Sequence, residues 1–304
     1  MRSSTATATT ATADKAAPPP CRGRFAPSPN GLLHKGSLLA AVASWLDARA
    51  RRGSWLVRIE DLDTPRVVPG AADAMLATLA AFGMESGEPV LYQSTRRQAY
   101  REALSALAEA GLAYRCTCSR GERAGPRCRC RDHPRPAGGE AAWRLKLDDT
   151  PITFEDAIQG PQCYLPAQIG DPVLFRKDGI AAYQLAVVVD DAFQGITDVV
   201  RGADLLESTA WQVAIGRALG LAEPRWAHVP VLTEPGGAKL AKSRRSLPLE
   251  GLDAPATLAG ILQFLGIAVP PELKAAPVSD MLHWSVQHWR PENIRGVRAI
   301  ALAD

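Results

Sequence analysis

The 304-residue chain has no apolar run long enough to cross a membrane. Its richest stretch, residues 254–269, is broken by Pro255, Gly260, Gln263 and Gly266, short of the roughly 18 unbroken apolar residues a span requires. The first twenty residues also lack an apolar signal core. They are dominated by Ala, Thr, Ser and Pro, which argues against a secretory leader and for a flexible extension over residues 1–21. Cysteine is scarce, six in all, too few and too unevenly placed for a disulfide framework in a chain of this length. No internal repeat is visible, and no sign of charge prevails: 35 basic against 32 acidic side chains leave +3. What remains is an ordinary globular composition, 46% apolar, with length for roughly two domains.

The little that is unevenly placed is informative. Cys116, Cys118, Cys128 and Cys130 fall within fifteen residues, a clustering that points to a metal in a reducing compartment, hence a cytoplasmic protein. Seven arginines, at 115, 120, 123, 127, 129, 131 and 135, face only Glu122 and Asp132 in the same region. The modest overall charge therefore hides a basic patch of the kind on which phosphate backbones dock.

Periodicity organises the rest. Residues 22–25 read as a strand, 27–31 as a turn, and a helix starts near His34, with Leu38, Leu39, Val42, Trp45 and Leu46 on one face. Gly53 stops that helix and residues 55–59 resume as a strand, so the unit is a βαβ crossover of a doubly wound sheet. Helices are expected over 71–82 and 96–110, and a strand over 143–147. The β-branched run 183–189 reads as a buried parallel strand ending at the ligand-facing Asp190-Asp191. A helix over 208–219 is expected to be capped by Ser208 and closed by Gly220, with two more helices over 254–265 and 278–289.

Two segments carry chemistry. In Arg24-Phe25-Ala26-Pro27-Ser28-Pro29-Asn30-Gly31-Leu32-Leu33-His34-Lys35-Gly36-Ser37, Gly31 and Gly36 permit tight turns and close ligand approach. A helix starting near His34 presents unpaired N–H groups and a positive dipole end to phosphate, and His34 adds a side-chain donor. In Lys239-Leu240-Ala241-Lys242-Ser243, preceded by Gly236-Gly237, two lysines on a glycine-tethered loop can follow charge growing on a triphosphate.

The order of these segments resembles the class I aminoacyl-tRNA synthetases of the glutamyl type over about residues 22–250. Leu33-His34-Lys35-Gly36-Ser37 stands as the HIGH-like element and residues 239–243 as the KMSKS-like loop. Arg24-Phe25-Ala26-Pro27-Ser28-Pro29, Arg58-Ile59-Glu60-Asp61-Leu62-Asp63 and Val200-Arg201-Gly202-Ala203-Asp204 are similar to signatures of that group. More narrowly, the missing anticodon-binding half, Ser37 after the HIGH-like glycine, and the Cys-Thr-Cys pair resemble the paralogous branch that modifies queuosine in the anticodon of tRNA(Asp).

The resemblance implies a Rossmann-like doubly wound parallel sheet split into 22–110 and 151–250, an inserted zinc-binding subdomain over 111–150 and a helical portion over 251–304. It implies L-glutamate binding at Arg24, Phe25, Ala26, Pro27, Ser28, Glu60, Tyr183 and Arg201, ATP binding at His34, Gly36, Ser37 and Lys242, and catalysis by His34, Lys239 and Lys242. The chemistry agrees: two carboxylates and an ammonium call for planar arginine donors and one anionic partner. The implied partners are ATP with Mg2+, glutamate and queuosine-bearing tRNA(Asp), for a monomer that touches no membrane. An ordinary enzyme charging the tRNA 3′ end, or a non-catalytic tRNA-binding module, are the rival readings. Two positions depart from the pattern: Ala241 replaces a hydroxyl residue, and Pro126 stands where the family has a tyrosine zinc ligand. Cys128 is expected to replace that tyrosine, with His133 in reserve, which would give zinc the set Cys116, Cys118, Cys128 and Cys130.

Overall fold

A computed structural model describes residues 20–119, 121–122, 127–133, 140–234, 249 and 251–302. Residues 1–19 of the expected extension over 1–21 and the loop carrying Lys239 and Lys242 lie outside the described residues.

β1 (Arg22–Phe25) leads through the proline-rich turn to α1 (Lys35–Ala50), and β2 (Ser54–Ile59) returns parallel to β1, with Phe25 opposite Val57. The crossover read from the sequence thus forms. α1 is buried almost all round from Leu38 to Ala48, because the sheet lies on one side and C-terminal helices on the other. Gly53 serves a close approach: a Cβ there would lie 2.2 Å from the Cys21 carbonyl oxygen, so only glycine lets the chain pass.

α2 (Ala71–Ala81), β3 (Leu91–Tyr92) and α3 (Arg97–Glu109) complete the first half. β4 (Ala113–Cys116) and β5 (Ala142–Leu145) frame the cysteine segment as an antiparallel pair. β6 (Ile152–Asp156) and β7 (Gly160–Tyr164) form a hairpin, followed by the single turn α4 (Pro166–Ile169) and β8 (Val173–Phe175). Next come α5 (Tyr183–Phe193), β9 (Asp198–Gly202), α6 (Leu206–Ala218), β10 (Arg225–Val229) and β11 (Val231–Thr233). α7 (Ala254–Phe264) and α8 (Val278–His288) cover α1, and β12 (Ala299–Ala301) pairs with β11.

The main sheet has the order β3-β2-β1-β9-β10-β6-β7, parallel except for β7 at the edge, and a second sheet has the order β4-β5-β8. Strand order reverses between β1 and β9. At such a reversal the connecting helices depart to opposite faces and open a crevice at the carboxyl ends of the strands, which is where ligands bind in this architecture.

Two expectations need correction. The run 183–189 is not a strand but the body of α5. Its valines favour β structure, yet Asp190 and Asp191 must both reach buried cations, on different neighbours. Asp190 accepts from Gln93, Arg96 and Tyr100, whereas Asp191 meets Arg24 and Arg58. A strand would send adjacent side chains to opposite faces, whereas helical neighbours are about 100° apart and can both reach groups on one side, so tertiary pairing overrides propensity. Helix α6 starts at Leu206, and Ser208 lies in its first turn, accepting from Gln184 Nε2 at 3.1 Å rather than capping.

A candidate active site at the strand reversal

The carboxyl ends of three parallel strands deliver charge to the crevice. β1 contributes Arg24, the residue after β2 is Glu60, and β9 contributes Arg201. With Tyr183 from the start of α5 and His34 from the start of α1, they line one cleft of about 260 Å³. Phe25, Ala26, Pro27, Ser28 and Ser37 also border it. Nearly every residue singled out from the sequence is therefore brought to one place. Of the described residues expected to bind glutamate or ATP, Gly36 alone is not in the lining, its N–H being turned to the helix cap.

That cap differs from the expected open helix end. His34 Nδ1 accepts from the backbone N–H of Gly36 (3.1 Å) and Ser37 (3.3 Å), while Ser37 Oγ accepts from the N–H of His34 (2.8 Å). Two first-turn donors, those of Gly36 and Ser37, are thus satisfied by the histidine itself. With Nδ1 accepting, the neutral ring carries its proton on Nε2.

Charge in the cleft is only partly balanced. Arg24 grips Asp191 with Nε at 3.1 Å and Nη2 at 3.3 Å. Arg58, fully buried, reaches Asp191 at 2.8 Å and Glu60 at 3.5 Å. Burial opposes ionisation of Asp191, but Arg24 and Arg58 hold its carboxyl below the usual range. Burial likewise works against the Arg58 charge, and Asp191, Glu60 and Asp190 outweigh it, so its pKa is raised. For Glu60 burial prevails over Arg58 and Arg24 and pushes the carboxyl up to about 7. The phrase 58–61 is accordingly no surface ion pair; Asp61 accepts from Ser94 N–H at 2.7 Å and Oγ at 2.6 Å.

Arg201 differs from both other arginines. Its partners are neutral: His228 Nε2 at 3.1 Å, Tyr183 Oη at 3.2 Å and Thr209 Oγ1 at 2.7 Å. Burial lowers its pKa, and no carboxylate pairs with it among the described residues. Three of its five N–H groups are used, which leaves one on each terminal nitrogen. A buried guanidinium with two such donors and no carboxylate partner among the described residues can accept a carboxylate ligand.

A second chamber of about 470 Å³ shares Ser28, Glu60 and Tyr183 with the first, and Asp63, Arg66, Gln93 and Arg176 line its far side. Sequence reading gave no site role to Arg58 or His228, and it placed Asp191 at a ligand-facing end, though of a strand rather than of α5. The signals available were a doubled Asp at the end of an apolar run and a histidine inside one.

Away from the cleft, Cys116, Cys118, Cys128 and Cys130 are all buried, with sulfur atoms within 4.8 Å of one another. The Cys116–Cys128, Cys118–Cys128 and Cys118–Cys130 separations are 3.3, 3.4 and 3.5 Å, and all four thiols are free. A tetrahedral zinc with bonds of about 2.3 Å would hold its sulfurs about 3.8 Å apart, so the donor set fits such an ion after small shifts. Cys128 lies in the group, whereas His133 is exposed and outside it.

The basic patch is less open than its composition suggests. Arg131 is committed to the buried Asp171 at 3.0 Å and Arg127 to Asp149 at 2.7 Å, while Arg129 is exposed. Arg120, Arg123 and Arg135 fall outside the described residues. No helix among the described residues is long and apolar enough to cross a membrane.

Comparison with known proteins agrees with this geometry. The family described as tRNA synthetases class I (E and Q), catalytic domain, matches residues 20–254. The chain is 52% identical over 284 residues to a glutamyl-Q tRNA(Asp) synthetase of Dechloromonas aromatica, covering 89% of this chain and 94% of the relative. It is 46% identical over 289 residues to the protein of that name from Pseudomonas putida W619, covering 93% and 97%. Among solved structures, the glutamate-tRNA synthetase of Elizabethkingia anophelis superposes with a TM-score of 0.78 at 24% identity, over 92% of this chain and 68% of that one. A glutamate tRNA ligase from Elizabethkingia meningosepticum, solved with its amino acid, gives 0.74 at 26% identity, over 87% and 64%.

Proposed function

The chain belongs to the class I tRNA synthetases of the glutamate and glutamine group, and from that premise we propose that it activates L-glutamate with ATP and transfers the glutamyl group to queuosine at the wobble position of tRNA(Asp). The observation that supports this most is the charge inventory of the cleft. Arg24, Arg58 and Arg201 face Glu60 and Asp191, which leaves one positive charge, on Arg201. Glutamate brings two carboxylates and one ammonium, hence one negative charge in excess; glutamine brings none. In this reading Arg201 and Tyr183 take a carboxylate, Arg24 assists, Glu60 takes the ammonium, and Phe25, Ala26, Pro27 and Ser28 shape the wall.

ATP arrives as its magnesium complex, with its phosphates beside His34, Gly36, Ser37 and Lys242. An oxygen of the glutamate α-carboxylate attacks the α-phosphorus and pyrophosphate departs. His34, Lys239 and Lys242 stabilise the charge that develops on the phosphates. The acceptor hydroxyl, from the cyclopentene diol of queuosine, then attacks the activated carbonyl from the second chamber, AMP leaves and the hydroxyl proton passes to solvent. No enzyme nucleophile takes part. The segment 111–150 is an inserted subdomain in which Cys116, Cys118, Cys128 and Cys130 hold a structural zinc, and the exposed Arg129 meets tRNA phosphates. The enzyme works as a cytoplasmic monomer.

Incubation with ATP, labelled glutamate and tRNA from queuosine-positive and queuosine-negative cells tests the reading. Label should enter only the first tRNA and stay on an isolated anticodon fragment. Label on the terminal adenosine would restore the ordinary glutamyl-tRNA synthetase.

A further inference from the structure

The edge of Arg201 that faces away from the cleft is held by an ordered polar row. Arg201 on β9 is in register with His228 on β10, and Asp156 ends β6, the next strand. All three side chains are buried, and they connect through specific atoms. Asp156 Oδ1 accepts the backbone N–H groups of Ile158 (3.0 Å), Gln159 (2.8 Å) and His228 (3.1 Å), and Oδ2 lies 2.5 Å from His228 Nδ1. A carboxylate so placed only accepts. Burial resists its charge, but the bonds from His228 and the backbone hold it ionised. It therefore takes the His228 proton on Nδ1, and the other ring nitrogen, Nε2, is left as an acceptor. Arg201 requires that, because a guanidinium offers only donors and its Nε points at Nε2 from 3.1 Å. Thr209 Oγ1, 2.9 Å from the same nitrogen, completes the cradle and takes Nη2.

We propose that Asp156 and His228 are a positioning pair: the carboxylate locks the imidazole in its Nδ1-protonated tautomer, and the imidazole thereby aims Arg201 at the substrate carboxylate. This rests on the glutamate-activating reading above. Neither residue touches substrate. Their effect is to present the two remaining Arg201 donors at a fixed angle, beside Tyr183, without a second carboxylate that would neutralise the guanidinium. An acid in the place of His228 would orient Arg201 equally well but would cancel the charge that recruits the ligand. A neutral acceptor orients without cancelling.

Asp156→Asn provides the sharpest test. Its amide oxygen still receives the backbone N–H groups, but its NH2 faces His228 Nδ1 and drives the ring proton to Nε2, against the Arg201 Nε–H. In glutamate-dependent pyrophosphate exchange, KM for glutamate should rise about 10- to 100-fold, with KM for ATP within about twofold and kcat affected less. His228→Gln places a carbonyl near the position of Nε2 and should hold KM for glutamate within about threefold, whereas His228→Leu should raise it like Asp156→Asn. Both His228 variants lose the bond to Asp156, so a purely structural role would make them alike; equal KM values overturn the proposal. Nitrogen-15 NMR of the wild-type ring, assigned with His228→Gln, should show the Nδ1–H tautomer, switching to Nε2–H in Asp156→Asn. An Nε2-protonated wild-type ring overturns the pair even if no glutamate activation is detected, an outcome that would refute the functional reading instead.

Discussion

The cleft at the strand reversal and the cysteine centre beside the three-stranded sheet both bury groups with an unmet partner, and of opposite kinds. In the cleft a cation, Arg201, pairs with no carboxylate among the described residues; in the cysteine centre four thiols converge as a donor set for a cation. The supports also differ. The cleft is walled by Phe25, Leu33, Met75 and Val200 of an extensive apolar cluster, whereas among the described residues the cysteines form a cluster of their own with only Tyr114 packed against it. A site on a large core keeps its shape while it waits for a ligand. A site whose core is its own ligand set depends on the ion for folding.

The comparison breaks most readily at the metal. Chelation, or Cys128→Ser, should remove one zinc per chain by elemental analysis and collapse amide exchange protection in β4 and β5, because thiolate-bound zinc supplies on the order of 10 kcal/mol. Protection in β1 and β9 should persist. Protection retained throughout after metal loss would place both regions in the same class. Loss of metal in His133→Ala but not in Cys128→Ser would move the fourth ligand to His133.

Within the cleft, Arg58→Met and Arg201→Met should diverge. Removing Arg58 leaves Glu60 without its ion-pair partner and Asp191 with Arg24 alone, and should cost about 3–5 kcal/mol in denaturant unfolding. Removing Arg201 takes away a buried charge that has no counter-ion, so Tm should hold or rise while kcat/KM for glutamate falls about 10³-fold. Equal destabilisation by the two would mean that Arg201 is already compensated.

Glu60 adds a pH signature with opposite signs for stability and activity. Its folded pKa, pushed up to about 7, exceeds the ordinary carboxylate value, so the stability it contributes is present at acid pH and lost as pH rises through about 7. Activity needs the ionised form to meet the substrate ammonium. kcat/KM for glutamate should therefore fall about tenfold per pH unit below 7, and Glu60→Gln should flatten that limb at a lower plateau. An unchanged limb in the variant assigns the titration elsewhere.

The smallest effect separates two arginines of the basic patch. Arg129→Gln should reduce the slope of log affinity for tRNA against log salt by about one without changing stability. Arg131→Gln should lower stability and leave that slope nearly intact, since Arg131 already pairs with Asp171. Identical slopes in both variants and wild type would remove this surface from the tRNA interface.

The sequence by itself determined the local units. The β1–α1–β2 crossover was legible because periodicity, Gly53 and the apolar face of α1 are encoded within forty residues, and the four cysteines announce their chemistry by spacing. The HIGH-like phrase located His34, although not that its ring caps the helix. Only the tertiary structure decided which buried charges face one another. The triple-valine run of α5 favours a strand until Asp190 and Asp191 have to satisfy different neighbours. Arg24, Glu60, Asp191 and Arg201 belong to four elements, and their balance follows from the order of β2, β1 and β9 in the sheet. His228 and Asp156 are 72 residues apart and meet because β10 lies between β9 and β6, a parallel register that no local window contains. Local sequence encodes backbone period and residue chemistry; the pairing of charges across non-consecutive parallel strands is created when the sheet assembles.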